Sequence, residues 1–152
     1  DGARVPMIIA GPGIEKGRKC AKPVQLLDIY PTLLELVNLA PDSLHEGNSL
    51  VPLLNNPKAE WPHYARTSFG PGNYAIVSER YRFIQYLDGS EELYDHQSDP
   101  GEWYNQIETY SDIVSAHRAQ IPANHHPILG RGSTGHVSYE ESEKLIEKIE
   151  KR

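Results

Sequence analysis

Apolar and polar positions alternate in distinct rhythms along this chain, and each rhythm predicts an element. Val5 to Ala10 is a nearly continuous apolar run closed by Gly11-Pro12-Gly13. That pattern predicts a central parallel strand, buried on both faces. No second run of this kind follows, so its sheet partners are expected upstream. Residues 14–22 are polar and basic, with Lys16, Arg18, Lys19 and Lys22 at no fixed spacing, and read as a solvated loop. After the short apolar stretch Val24 to Leu27, Asp28 is placed as a helix N-cap, its carboxylate accepting from the free amides of the first turn. Pro31 falls in that turn, where its missing N–H costs nothing. Tyr30, Leu33, Leu34 and Val37 share one helical face, and Pro41 ends the helix.

Residues 41–63 are proline-rich and read as a connector pinned by Leu50, Leu53 and Leu54. A period of two then sets in. Tyr74, Ile76 and Ser78 alternate with Ala75 and Val77, and Tyr81, Phe83, Gln85 and Leu87 alternate with Arg82, Ile84 and Tyr86. Asp88-Gly89 is a hairpin signal, and Glu92-Leu93-Tyr94 is the returning strand. Three antiparallel strands need a cover on one face. Helical spacing of Ile107, Tyr110, Val114, His117 and Ile121 supplies one, and Tyr139, Ile146 and Ile149 predict a final helix with Glu140–Lys144 and Glu147–Lys151 pairs. Between the two helices, Asn124 to His136 reads as an exposed loop.

Composition narrows the classes. The chain has 152 residues, 38% apolar and 24% charged, with a net charge of −6. That length suits a single packed domain rather than a disordered chain. No apolar run approaches the ~18 residues of a membrane-spanning helix, and the acidic balance argues against nucleic acid or anionic lipid as partner. One Cys excludes an internal disulfide. A buried strand starting at Arg4, after Asp1 and no Met, is expected of a piece cut from something longer.

Several segments resemble a known family. Arg4-Val5-Pro6-Met7-Ile8-Ile9 with Pro12-Gly13 is similar to a stretch found late in the sulfatases. Pro23 to Leu36 resembles that family's next segment, and Gly47-Asn48-Ser49-Leu50 with Pro52-Leu53-Leu54 its connector. Asp88-Gly89-Ser90-Glu91-Glu92-Leu93-Tyr94-Asp95, then Asp99-Pro100-Gly101-Glu102 and Asn105, is similar to its C-terminal signature. The resemblance covers residues 2–122 and looks nearest to the branch with iduronate-2-sulfatase and choline-sulfatase-like enzymes. Gln106 stands where the family usually has Leu, and the resemblance does not extend over residues 123–152. The resemblance implies an α/β class of the alkaline-phosphatase superfamily, here as an α+β fragment. Residues 1–60 are the last strand and helix of a sulfatase-type α/β domain with its connector. Residues 61–122 form a small antiparallel sheet subdomain packed with a helix. Residues 123–152 are a loop and a C-terminal helix.

Family members hydrolyse sulfate esters with a formylglycine, made from Cys or Ser in a Cys/Ser-x-Pro-x-Arg motif, and bind calcium through carboxylates. Cys20 is followed by Ala21-Lys22-Pro23-Val24, so the Pro is one place late and the Arg is absent. No Asp-Asp pair is present, and Asp95-His96 is followed by Gln97 rather than Gly. The family's catalytic His and Lys residues lie upstream of Arg4. No catalytic or metal residue is therefore assigned here, and calcium and formylglycine are expected of the parent enzyme only. Asp95 reads as a turn residue and Asp99 as a cap. Substrate-cleft candidates are Arg66, Ser68 and Asn73, in the loop from His63 to Asn73 shaped by Gly70-Pro71-Gly72; an Arg there suits a carboxylate or sulfate. The bland reading of that segment is an ordinary exposed loop. His125, His126 and His136 read as a surface cluster, and Tyr74, Tyr81, Phe83 and Tyr86 as sheet packing.

The leading expectation is the C-terminal portion of a sulfatase, completing the fold and one wall of the substrate cleft. Its partner is a missing N-terminal catalytic portion, and the orphaned strand predicts self-association of the isolated chain. For the parent, a periplasmic, secreted or lysosomal-type location is compatible with the family. Two other readings stand beside it: a non-catalytic binding or folding module, and a fragment of a related phosphodiesterase or phosphonate hydrolase. The Glu-Leu-Tyr-Asp and Asp-Pro-x-Glu pairing favours the sulfatase.

Overall fold

The computed structural model describes residues 5–40, 44–70 and 72–123. They fall into two compact units, one within Asp1–Ala65 with Val77–Glu79, the other within Arg66–Ile76 and Arg80–Arg152. The final helix and the histidine-rich loop expected from the sequence lie outside the described residues.

In the first unit a short 3-10 helix, Leu26–Asp28, runs directly into α1, Ile29–Leu36. Asp28 stands at the N-cap position, but its carboxylate reaches backward. Oδ2 accepts from the Gln25 amide at 2.9 Å and Oδ1 from the Asn48 amide at 2.8 Å. One turn later Thr32 Oγ1 accepts from the Leu50 amide at 2.8 Å. Two buried polar side chains four apart thus hold two alternate amides of the segment that returns past the helix. Gly47 is required here: a Cβ would lie 1.9 Å from the Leu27 carbonyl oxygen. The helix ends earlier than Pro41. Asn38 takes the left-handed φ of 56°, its amide donates to Glu35 O, and the Leu39 amide donates to Leu34 O at 2.9 Å. This is a Schellman ending, for which Asn is the usual substitute for Gly.

The proline-rich connector does more than connect. Pro52 sits in the first turn of α2, Val51–Asn55, where no amide is needed. Leu50, Leu53 and Trp61 form the buried cluster of this unit, with Met7, Ile9, Val24 and Ala59 packed against it. Leu54 is half-buried. The Trp61 indole donates to Pro23 O at 2.9 Å. The basic loop is also tied down: Arg18 donates to the Leu54 and Asn55 carbonyls at the end of α2, and Lys22 pairs with Glu79 at 2.7 Å.

The buried strand expected at residues 5–10 is not formed. Met7 and Ile9 turn onto the cluster, but Ile8 is 87% exposed, and the segment pairs with no strand among the described residues. A strand needs a neighbour for its amides and carbonyls. The predicted apolar face of α1 is likewise mostly exposed at Tyr30, Leu33 and Val37, and the residue α1 buries is Thr32.

The second unit is built on a sheet of four strands, not three, in the order β1-β2-β3-β4. β1 is Ala65–Ser68, β2 Tyr74–Val77, β3 Tyr81–Gln85 and β4 Glu91–Asp95. β3 and β4 are antiparallel, with Phe83 opposite Leu93, both fully buried. Asp88 Oδ1 accepts from the Ser90 amide and hydroxyl, and Gly89 takes a φ of 85°, as the hairpin signal requires. α3, Ser111–Arg118, packs on β3 and buries Val114 and His117. The His117 Nδ1 donates to Ile113 O at 2.8 Å, and the ring stands edge-on to Tyr81. Burial lowers the His117 pKa.

Candidate functional site

The connection from β1 to β2 spans only residues 69–73, so it is a hairpin. The three cleft candidates divide over it. Arg66 and Ser68 lie on β1 rather than in a loop, two apart and therefore on one face of the strand. Arg66 is half-buried and Ser68 exposed. Asn73 stands at the base of the tip with its groups engaged. Its carbonyl accepts from the Phe69 amide at 3.1 Å, and its Oδ1 accepts from the Leu87 amide, beyond β3, at 3.2 Å. Gly72, at a φ of 73°, brings its backbone against Leu87, where a Cβ would lie 2.6 Å from Cδ1. The tip is thus fixed to the β3–β4 hairpin at two adjacent positions. At its crest Phe69 is 66% exposed. Sequence reasoning passed over Phe69; an aromatic just before Gly70-Pro71-Gly72, outside any alternating run, was the available signal.

The signature residues after β4 form a separate polar network. Asp95, 1% exposed, takes both Arg80 nitrogens, Nε at 2.8 Å and Nη2 at 2.7 Å. It also accepts from the Gln97 amide and the Ser98 hydroxyl. The Arg80 guanidinium holds this carboxyl well below the usual carboxylate range, against the opposing effect of burial. Asp99 Oδ2 accepts from the Tyr104 amide at 2.8 Å. Glu102, at a φ of 56°, meets Arg82 and His96, each at 2.7 Å. Burial raises its carboxyl, but those two partners outweigh it and the net shift is downward. Asn105 Oδ1 accepts from the Leu93 and Ile107 amides at 3.0 Å, and the Gln106 amide donates to Leu93 O at 2.7 Å. Gln106 acts here through its backbone, so a different side chain at this position leaves the bond in place. On β4, burial and a hydrogen bond to Glu92 push the Tyr94 phenol up to about 12. Asp95 and Asp99 therefore organise turns; Arg80 and Arg82, two apart on one side of the hairpin, are the partners the sequence reading missed.

Among the described residues no group of three or more His, Cys, Asp or Glu side chains could hold a metal ion. These residues do not fit calcium. Cys20 is exposed, its thiol 3.5 Å from the Pro57 carbonyl oxygen.

Comparison with known proteins places this architecture. A sulfatase of Formosa agariphila is 40% identical over 121 residues, covering 78% of this chain and 24% of that protein. The Delta 4,5-hexuronate-2-O-sulfatase of Bacteroides thetaiotaomicron is 37% identical over 134 residues, covering 77% of this chain and 27% of its own length. The solved structure of yidJ from Bacteroides fragilis superposes with a TM-score of 0.52 at 20% identity, over 61% of this chain and 23% of that one. This chain thus spans about a quarter of the length of the relatives it matches. The family model described as N-sulphoglucosamine sulphohydrolase, C-terminal, matches residues 1–125, and the chain belongs to that family, as a C-terminal portion of a sulfatase.

Proposed function

We propose that this chain belongs to a sulfuric ester hydrolase acting on sulfated sugars, in which it completes the fold and forms one wall of the substrate cleft. The carrying observation is the match of residues 1–125 to the C-terminal sulfatase model, in relatives of which the match covers only 24% and 27%. A sugar sulfate, rather than an aryl or choline sulfate, is supported by the hexuronate sulfatase at 37% identity. In this reading the formylglycine and the calcium belong to the portion N-terminal to the match. That portion also covers the exposed apolar side chains of α1 and of residues 5–10. The cleft wall is the β1–β2 hairpin, with Arg66 and Ser68 on its first strand and Asn73 at its tip.

The test is sulfate release from a 2-O-sulfated unsaturated uronate disaccharide, by the full-length protein and by the 152-residue chain alone. Release by the full-length protein and none by the chain is expected. Turnover by the purified chain, or none by the full-length protein on any sugar sulfate, would overturn the reading.

A further inference from the structure

The turn after β4 is held more firmly than an exposed turn needs. Asp99 Oδ2 accepts from the Tyr104 amide at 2.8 Å, and Asn105 Oδ1 accepts from the Leu93 and Ile107 amides. Between these anchors Glu102 takes a left-handed φ of 56°, a costly state for a residue with a Cβ. Arg82 and His96 keep it there, each at 2.7 Å. Gly101 answers a different need. Its φ is not left-handed; its missing Cβ makes room for the Trp103 indole, whose Cδ1 would lie 2.7 Å from such a Cβ. Everything so fixed is turned outward: Trp103 is 82% exposed and the next residue, Tyr104, 71%. Turns ordinarily carry small polar residues at such positions, whereas Trp and Tyr are the side chains that anchor protein interfaces. Arg82 and Glu102 neutralise one another, so the frame of the turn is a polar rim and not an ionic site, as around an interface anchor.

We infer that Trp103 is an anchor by which this chain docks on the N-terminal portion of its own protein, the indole entering an apolar pocket there, and that Gly101 seats the ring for that contact. The occupant is argued from length. The matches cover only 24% and 27% of the relatives, so most of such a protein lies outside this chain and is available to cover the ring. The inference rests on the reading above that an N-terminal portion completes the fold. It adds a contact in the second unit, on a turn instead of an apolar helix face, and the residue that sets its geometry.

The experiment is hydroxyl-radical oxidation of the full-length protein, read residue by residue by mass spectrometry, in buffer and in urea. In the native protein Trp103 is oxidised about tenfold more slowly than in the unfolded one, as slowly as the core residue Trp61, which is 9% exposed. Gly101→Ala displaces the indole from its seat and raises Trp103 oxidation roughly 3- to 10-fold, while unchanged Trp61 oxidation shows that the variant is folded. Native oxidation of Trp103 within about twofold of the unfolded rate would overturn the inference, because an uncovered ring anchors nothing. Protection that appears only at raised protein concentration would assign the ring to a second copy, and protection that appears only with an added sugar sulfate would assign it to substrate; either overturns the occupant. Protection unchanged in Gly101→Ala would overturn the seating role. Sulfate release, measured on the same sample, judges the sulfatase reading separately: an active protein with an unprotected Trp103 loses this inference alone.

Discussion

Asp95 shows how a single carboxylate shapes the second unit. It is buried, receives both Arg80 nitrogens, and fixes the turn at Gln97 and Ser98. Its folded pKa lies below that of an unfolded Asp, near 3.9. The ionised form is therefore favoured by folding: the stabilisation is present above about pH 4 and is lost as pH falls toward the folded value. His117 adds an earlier loss. Its folded pKa is lowered by burial, so acidification below about 6.5 favours the unfolded chain, where the ring protonates freely. Thermal unfolding followed between pH 7 and 3 shows a midpoint that declines first below about 6.5 and again below about 4. Asp95→Asn lowers the midpoint at pH 7 by roughly 5–10 °C and weakens the second decline, leaving the share that Glu102 contributes. An unchanged acid profile in that variant would contradict this account.

The same residue shows what the sequence could and could not convey. Asp95 and Asp99 read as structural from their place beside a hairpin and a proline. Their partners did not, because Arg80 and Arg82 meet Asp95 and Glu102 only once β3 and β4 are in register. Asp28 is a similar case. Its spacing marked a helix start, but its two acceptor contacts include Asn48, twenty residues away. Local spacing carries no information about that return.

At the scale of elements, alternation found β2, β3 and β4 and helical spacing found α3. β1 escaped because Ala65–Ser68 is short and carries polar side chains at alternate and adjacent positions alike. The first strand failed for the opposite reason. Its apolar run is real, yet no neighbour among the described residues pairs with it. α1 ended at Asn38 because that residue accepts a left-handed backbone, a stronger stop than the proline beyond. The return past α1 rests on Gly47, whose missing Cβ leaves room for the Leu27 carbonyl. Gly47→Ala forces that backbone apart and destabilises the first unit by about 2–3 kcal/mol. The two tryptophans separate the units in a urea titration: Trp61 is buried in the first unit, whereas Trp103 is exposed in the second. The Gly47→Ala midpoint shifts in the Trp61 signal; an unshifted signal would show that the approach is not tight.

For the whole molecule, the exposed apolar residues are concentrated in the first unit. Leu26, Leu27, Leu33, Val37 and Leu39 all exceed half exposure, and Ile8 lies nearly bare. Patches of this kind mark interfaces. The isolated chain is therefore expected to self-associate, with a sedimentation coefficient that rises with concentration. Replacing Leu33 and Val37 together by Glu shifts it toward monomer. A wild-type chain that stays monomeric across the micromolar range would refute the expectation.

That association has a direction. The outer side of β4 is already occupied, because the Asn105 side chain takes the Leu93 amide and the Gln106 amide takes the Leu93 carbonyl. A side-chain amide standing in for a strand leaves no template on that border for a second chain to copy. Orphaned copies of this protein therefore gather through apolar side chains and not by strand addition at β4. Their aggregates are expected to show no fibrillar growth by strand addition at the β4 edge. The turn after β4 thus also guards this edge of the sheet.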